Sequence, residues 1–246
     1  AGVPVPIHLA VAAAALLLLS LFVVPALPES RNAGATASVS TFGDRMRVWT
    51  EPRTLLIGVI IVGAAFAEGT ANNWLALAMV EDRALTEATG AAYLTIFTGA
   101  MMIGRFCGGF LVDRFGRTAT LRGALVLAVA GVLLVVFLVS PVGTIAGIVL
   151  WGLGASLGYP LSVSSAADSQ QNAAARVSAV AALGALAFLV GPSIVGLIGE
   201  HSSLLIAFLV VGGLIAASLA ASGASRPPVV HTAHDELSVG SAAETL

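Results

Sequence analysis

Residues 109–118 read Gly109-Phe110-Leu111-Val112-Asp113-Arg114-Phe115-Gly116-Arg117-Thr118, a short charged loop set between two long apolar stretches. Only 10% of the chain is charged and 58% is hydrophobic, so Asp113, Arg114 and Arg117 mark a place where the polypeptide leaves an apolar medium. The mean hydropathy is +0.99, more apolar surface than a water-soluble domain can hide. Downstream, from Gly123 to Ala167, there is no charged side chain, and the breaker Ser140-Pro141-Val142-Gly143 divides that stretch in two. It reads as two membrane helices joined by a tight turn.

A span needs roughly 20 apolar residues. That rule predicts seven spans: Ile7–Leu27, Leu55–Met79, Ala91–Val112, Leu121–Val139, Val142–Ser162, Val177–Ile198 and Leu204–Ala221. These segments are apolar all round instead of along one stripe, which argues against a water-soluble bundle. The expected class is an all-α integral membrane fold with seven transmembrane helices.

Arginine sets the expected orientation, because all 11 basic residues are Arg. Arg31, Arg45, Arg47, Arg53, Arg114, Arg117, Arg122, Arg176 and Arg226 fall on one side of the spans, and Arg83 alone on the other. By the positive-inside rule the first side is cytoplasmic, with the C-terminus inside and the protein in the plasma (inner) membrane. Arg105 lies within the third span, about two turns before Asp113.

The 109–118 stretch resembles the cytoplasmic loop signature of the major facilitator superfamily, Gly-x-x-x-Asp-Arg-x-Gly-Arg-Arg/Lys. The resemblance implies half of a twelve-helix secondary transporter, and the seven spans then correspond to helices six to twelve. Residues 1–27 would hold helix six, 28–53 the central cytoplasmic loop, 54–221 the C-terminal six-helix bundle, and 222–246 a disordered cytoplasmic tail. The start at Ala1, without an initiator Met, and a first span lacking the marks of a signal peptide fit an N-terminal half encoded upstream. Within the central loop, Phe42–Trp49 reads equally as a short interfacial helix or as a loop with anchoring aromatics.

Gly109 lacks a side chain and would let its helix end approach a neighbour, with Gly104 and Gly108 extending the smooth face. Asp113, Arg114 and Arg117 would form a charge cluster at the cytoplasmic surface, and the turn would carry Gly116. The family likeness implies that the Asp pairs with a helix N-terminus across the bundle interface, holding one access state closed. Thr118 stands where the family has Arg or Lys. Arg105 either snorkels to the surface or serves as a partner of Asp113; the competing reading of the loop is that its arginines only enforce topology.

The second span carries Glu68-Gly69-Thr70-Ala71-Asn72-Asn73-Trp74. Counted from Thr54, Glu68 lies about 21 Å along the helix, a little past the bilayer middle, where an ionisable residue faces a cavity or a partner. Glu68 and Asn72, four apart, share a face and would present a carboxylate and an amide together, with Asn73 beside them. An acid held away from water is a candidate proton carrier as well as a ligand for hydroxyls; the alternative is a structural acid near the outer mouth. Trp74 reads as an interfacial anchor. The Glu-Gly pair followed by a polar residue and Trp resembles the fucose-permease-like and rhizopine-transporter-like branch, which implies a sugar, polyol or sugar-derived solute.

Other chemistry finds little support. Gly154-Ala155-Ser156-Leu157-Gly158 fits a hydrolase nucleophile pattern, but no strand precedes it, His8 belongs to a different, distant span and His201 to an outer loop. The single Cys107 excludes a disulfide within the chain, the His spacing suggests no metal site, and no phosphate-cradling motif points to ATP. A net charge of −2 argues against nucleic acid. No enzyme activity or cofactor is expected; the partners are the lipid bilayer, an N-terminal half, a small solute and protons. Three functions stay open: a proton-coupled importer, an exporter of drugs or metabolites on the same fold, and a non-transporting membrane sensor or assembly subunit.

Overall fold

The computed structural model describes residues 46–168 and 172–227, together with Val11, Ala13, Ala14, Leu17, Leu18 and Leu21. Those six positions are helical and belong to a separate compact unit, Ala1–Ser40; the rest of the predicted first span lies outside the described residues. Within the unit Thr41–Leu246 the helices are α1 (Pro52–Glu81), α2 (Glu87–Phe115), α3 (Arg117–Phe137), α4 (Pro141–Ala155), α5 (Gly158–Ala167), α6 (Ala173–His201) and α7 (Leu204–Ala221). α4 and α5 together make one span, so six spans, not seven, are seen among the described residues.

Antiparallel succession puts the start of α1, the α2–α3 turn, the end of α5, the start of α6 and the end of α7 at one pole, called here the Arg-rich end. α1 is the hub, packed on α2, α5, α6 and α7, while α2 and α6 keep broad exposed faces. The core centres on Trp151, fully buried, with Phe97 and Phe208 meeting its ring edge-on at 5.5 and 5.4 Å. Such pairings follow the ring quadrupoles.

The most extensive helix contact is α3 on α4, and its closeness is a glycine property. A Cβ at Gly147 would stand 2.9 Å from the Gly131 carbonyl oxygen, and one at Gly154 2.5 Å from the Ala124 oxygen. Small residues let the backbones meet, the favoured solution where lipid removes any hydrophobic drive between helices.

The break between α4 and α5 falls at Ser156–Leu157. The proline acts one turn upstream of its own position: the ring of Pro160 excludes the carbonyl four residues earlier, which belongs to Ser156. Ser156 Oγ donates to the Leu153 oxygen at 2.6 Å and packs against Gly104, so the hydrolase-like pattern is absorbed into helix packing. α6 runs unbroken through Pro192.

One boundary differs from the sequence expectation. Ser222–Ser225, assigned to the disordered tail, form a 3-10 turn whose Ser222 and Ser225 are buried. Ser225 Oγ donates to the Ser222 oxygen at 2.7 Å and sits 3.1 Å from Thr118 Oγ1, while Arg122 Nε donates to Ser222 Oγ at 2.9 Å. These partners order small serines that carry no apolar signal. Before α1, Met46 and Arg47 are helical and Val48–Thr50 form a 3-10 turn that buries Val48; the remainder of 42–49 lies outside the described residues.

Candidate functional site

Glu68 stands on α1 about 24 Å from Pro52 and about 20 Å from Glu81, near the middle of a helix roughly 45 Å long. Opposite it, α2 brings Arg105, about 15 Å before its end at the Arg-rich pole. One guanidinium nitrogen, Nη2, donates to both Glu68 oxygens, at 3.1 and 3.0 Å. The Glu68 side chain is 15% exposed and that of Arg105 49%, so the acid is sheltered and the cation faces open space. Arg105 is expected from sequence to snorkel or to serve Asp113; its partner is Glu68, because the antiparallel α1–α2 pair brings the acid within reach of the long Arg side chain.

Asn72 and Asn73 are exposed, one turn beyond Glu68. Asn73 Nδ2 donates to the Gly69 oxygen at 2.7 Å, which ties its amide to its own helix. Asn72 makes no side-chain hydrogen bond among the described residues and shares the Glu68 face. The Trp74 indole Nε1 donates to the Pro192 oxygen at 2.8 Å, and its ring lies where a Cβ on Gly196 would fall. It joins α1 to α6.

Arg105 and Asp113 both line a cavity of about 630 Å³ between α2 and α5, with Tyr159 and Pro160 on its other wall. Arg105 and Asp113 are eight residues apart, so the cavity extends about 12 Å from the ion pair toward the Arg-rich end. Asp113 and Arg114 are exposed; Asp113 has no ion-pair partner among the described residues, and Arg114 lies 6.0 Å from the Phe115 ring centre. Gly109 also differs from expectation, since a Cβ there would meet nothing within 4 Å; Gly104 and Gly108 make the close contacts, against Ser156 and Leu157. Gly116 earns its place by conformation, with φ 79° and ψ 156° turning the chain from α2 into α3.

The expected cluster of Asp113, Arg114 and Arg117 is divided. Arg117 turns inward and grips Asp168 at the end of α5 with a two-toothed contact, Nη1 to Oδ1 at 2.8 Å and Nη2 to Oδ2, while its Nε donates to the Ser225 oxygen at 2.9 Å. Arg53 approaches the same carboxylate from α1, its Nη2 2.8 Å from Oδ2, and also donates to the oxygens of Ala224 and Arg226. Burial pushes the Asp168 carboxyl up, but the hydrogen bonds and charges of Arg117 and Arg53 outweigh it and hold the group below its ordinary range. Nearby, Arg176 Nε donates to Glu51 Oε2 at 2.6 Å, and that bond depresses the Glu51 carboxyl.

The profile of the Major Facilitator Superfamily matches residues 4–184 and 57–240. The chain belongs to the Major Facilitator Superfamily. Among curated relatives, an uncharacterized transporter, y4wD, of Sinorhizobium fredii is 32% identical over 158 residues, covering 64% of this chain and 42% of its own length. The membrane protein MosC of Rhizobium meliloti is 29% identical over 168 residues, 67% of this chain and 41% of its own. This facilitator chain therefore spans about two fifths of the length of the curated relatives it matches. In fold it is similar to the outward conformation of FucP, with a TM-score of 0.75, 18% identity, and coverage of 87% of this chain and 53% of that one. It is also similar to a peptide transporter of the POT family, with a TM-score of 0.64 at 22% identity, covering 74% of this chain and 38% of that one.

Sequence reasoning passed over Asp168, Arg53 and Glu51 in this facilitator, although all three organise the Arg-rich end. A signal was present: Asp168 is the first charge after the uncharged run from Gly123, at the end of a span on the side crowded with arginine. An acid in that position needs a cation, and the chain offered several.

Proposed function

We propose that this chain supplies the C-terminal six-helix bundle of a secondary transporter that moves a small polar solute together with protons by alternating access. The Arg-rich end faces the cytoplasm in this reading, following the arginine bias of the loops. The observation that carries it is the Glu68–Arg105 pair, an acid and a base held near mid-bilayer beside an open cavity. Ionisable groups at that depth are expensive and mark solute or ion pathways.

The chemistry follows from the donor count. Arg105 uses one nitrogen on Glu68, so Nη1 and Nε are available to a solute hydroxyl or carbonyl, and Asn72 adds an amide on the same face. Protonation of Glu68 removes the charge that holds Arg105, and solute hydroxyls bridging the two groups take over the hydrogen bonds so released; proton and solute then travel as one load. A sugar, polyol or sugar derivative offers the matching hydroxyl array. Solved relatives of the same fold include a fucose:proton symporter and peptide transporters, so the fold leaves the solute to these side chains.

Proton uptake should be measured in proteoliposomes of the full-length protein on addition of sugars, polyols and aminosugars, with Glu68→Gln alongside. Solute-dependent uptake abolished by Glu68→Gln supports the reading. Uptake untouched by the substitution returns Glu68 to a structural role, and none with any solute favours export or a non-transporting membrane function.

A further inference from the structure

Two cavities away from the α1–α2 pair share a wall. The first, about 570 Å³, opens at the Arg-rich end beside the α2–α3 turn and is lined by Arg117, Arg122 and Arg226 with no acid among its residues. The second, about 420 Å³, follows the groove between α2 and α3, with Ile103, Leu111, Leu127 and Leu153 among its walls. Phe115 and Ala119 line both.

The charges of the first cavity are unevenly engaged. Arg117 is occupied by Asp168. Arg122 gives only its Nε to Ser222, and the Arg226 guanidinium has no partner among the described residues, so two cationic groups face this space uncompensated. Asp168, the acid that holds Arg117, also serves Arg53. In the groove, Ile103 and Phe115 are more than half exposed and Leu127 is 38% exposed. From Phe115 to Ile103 it runs about 18 Å along α2, close to the roughly 15 Å hydrocarbon depth of one leaflet.

We propose that the two cavities form a single site for an anionic phospholipid, its phosphate between Arg122 and Arg226 and one acyl chain laid along the α2–α3 groove. An uncompensated cationic cavity selects a phosphate bearing net negative charge, and the continuous apolar groove selects a lipid over a free ion. Such a lipid bridges α2 and α3 at the turn that carries the loop signature.

The test is native mass spectrometry of the full-length protein in mild detergent with equal phosphatidylglycerol and phosphatidylcholine. Wild type is expected to retain phosphatidylglycerol preferentially, with retention falling roughly fivefold for each of Arg122→Gln and Arg226→Gln. Leu127→Trp, which fills the groove without touching charge, should lower it as well. Should Arg122→Gln fail to fold, Arg226→Gln carries the test, because its side chain makes no bond among the described residues. Equal retention of the two lipids, no change in Arg226→Gln, or full displacement by inorganic phosphate at constant ionic strength would each overturn the proposal.

Discussion

At Gly116 the backbone holds φ 79° and ψ 156°, a region that a side chain enters only under strain. Gly116→Ala is expected to destabilise the protein by about 1–3 kcal/mol. Gly109→Ala, on an open helix face, should leave the melting temperature unchanged or raise it slightly, since alanine is the better helix former. Thermal melts in detergent, followed by circular dichroism, compare the two; equal losses would contradict this account. Glu68 and Arg105 invite a second comparison at this scale. Glu68→Gln and Arg105→Gln should each impair solute uptake, and the double variant should do less harm than the two effects summed, with a coupling on the order of 1–3 kcal/mol. Strict additivity would mean the pair seen here plays no part in transport.

Between elements, the turn joining α1 to α2 works as a double cap. Asp82 Oδ2 accepts from the Leu205 amide at 2.8 Å at the start of α7, and Arg83 Nη2 donates to the oxygens of Val135 and Val136, at 2.9 and 3.0 Å, at the end of α3. Each charge meets the helix pole of opposite sign, where backbone groups lack partners. This gives a physical reason for one arginine to stand at the pole opposite the Arg-rich end. Asp82→Ala is expected to cost about 1 kcal/mol, measured as a lower melting midpoint, with Asp82→Asn recovering part of it. If Asn recovers nothing, charge rather than hydrogen bonding is the dominant contribution of the cap.

Across the whole bundle, Asp168 and Glu51 clamp the Arg-rich end, joining α1, α3, α5, α6 and the Ser222–Ser225 turn. Both carboxyls are depressed in the folded protein. Their stabilisation is therefore present above the ordinary carboxyl value of about 4 and is lost as pH falls through the lower folded values. The melting midpoint should drop as pH is taken from about 6 to about 3, and Asp168→Asn should show a lower midpoint at neutral pH with a flatter acid limb. An unchanged acid limb in that variant would place the sensitive group elsewhere. Both carboxyls are partly solvated, so the loss at neutral pH stays near 1–2 kcal/mol.

The membrane class, six of the span positions and the 109–118 loop were legible in the chain because each rests on local quantities: apolar run length, charge position and spacing along one strand of sequence. Glu68 stood out for the same reason, as an acid where acids are expensive. Its partner did not, since Arg105 lies 37 residues away and only the antiparallel packing of α1 on α2 brings the two within side-chain reach. The same holds for Arg117, which the loop pattern associated with Asp113 and the fold delivers to Asp168, 51 residues on. Run length and hydropathy by themselves determined that this protein lives in a bilayer and where its helices cross. Which charges meet was decided only by the tertiary structure, because a guanidinium within the bundle takes the acid that helix packing brings within its reach, however far away it lies in sequence.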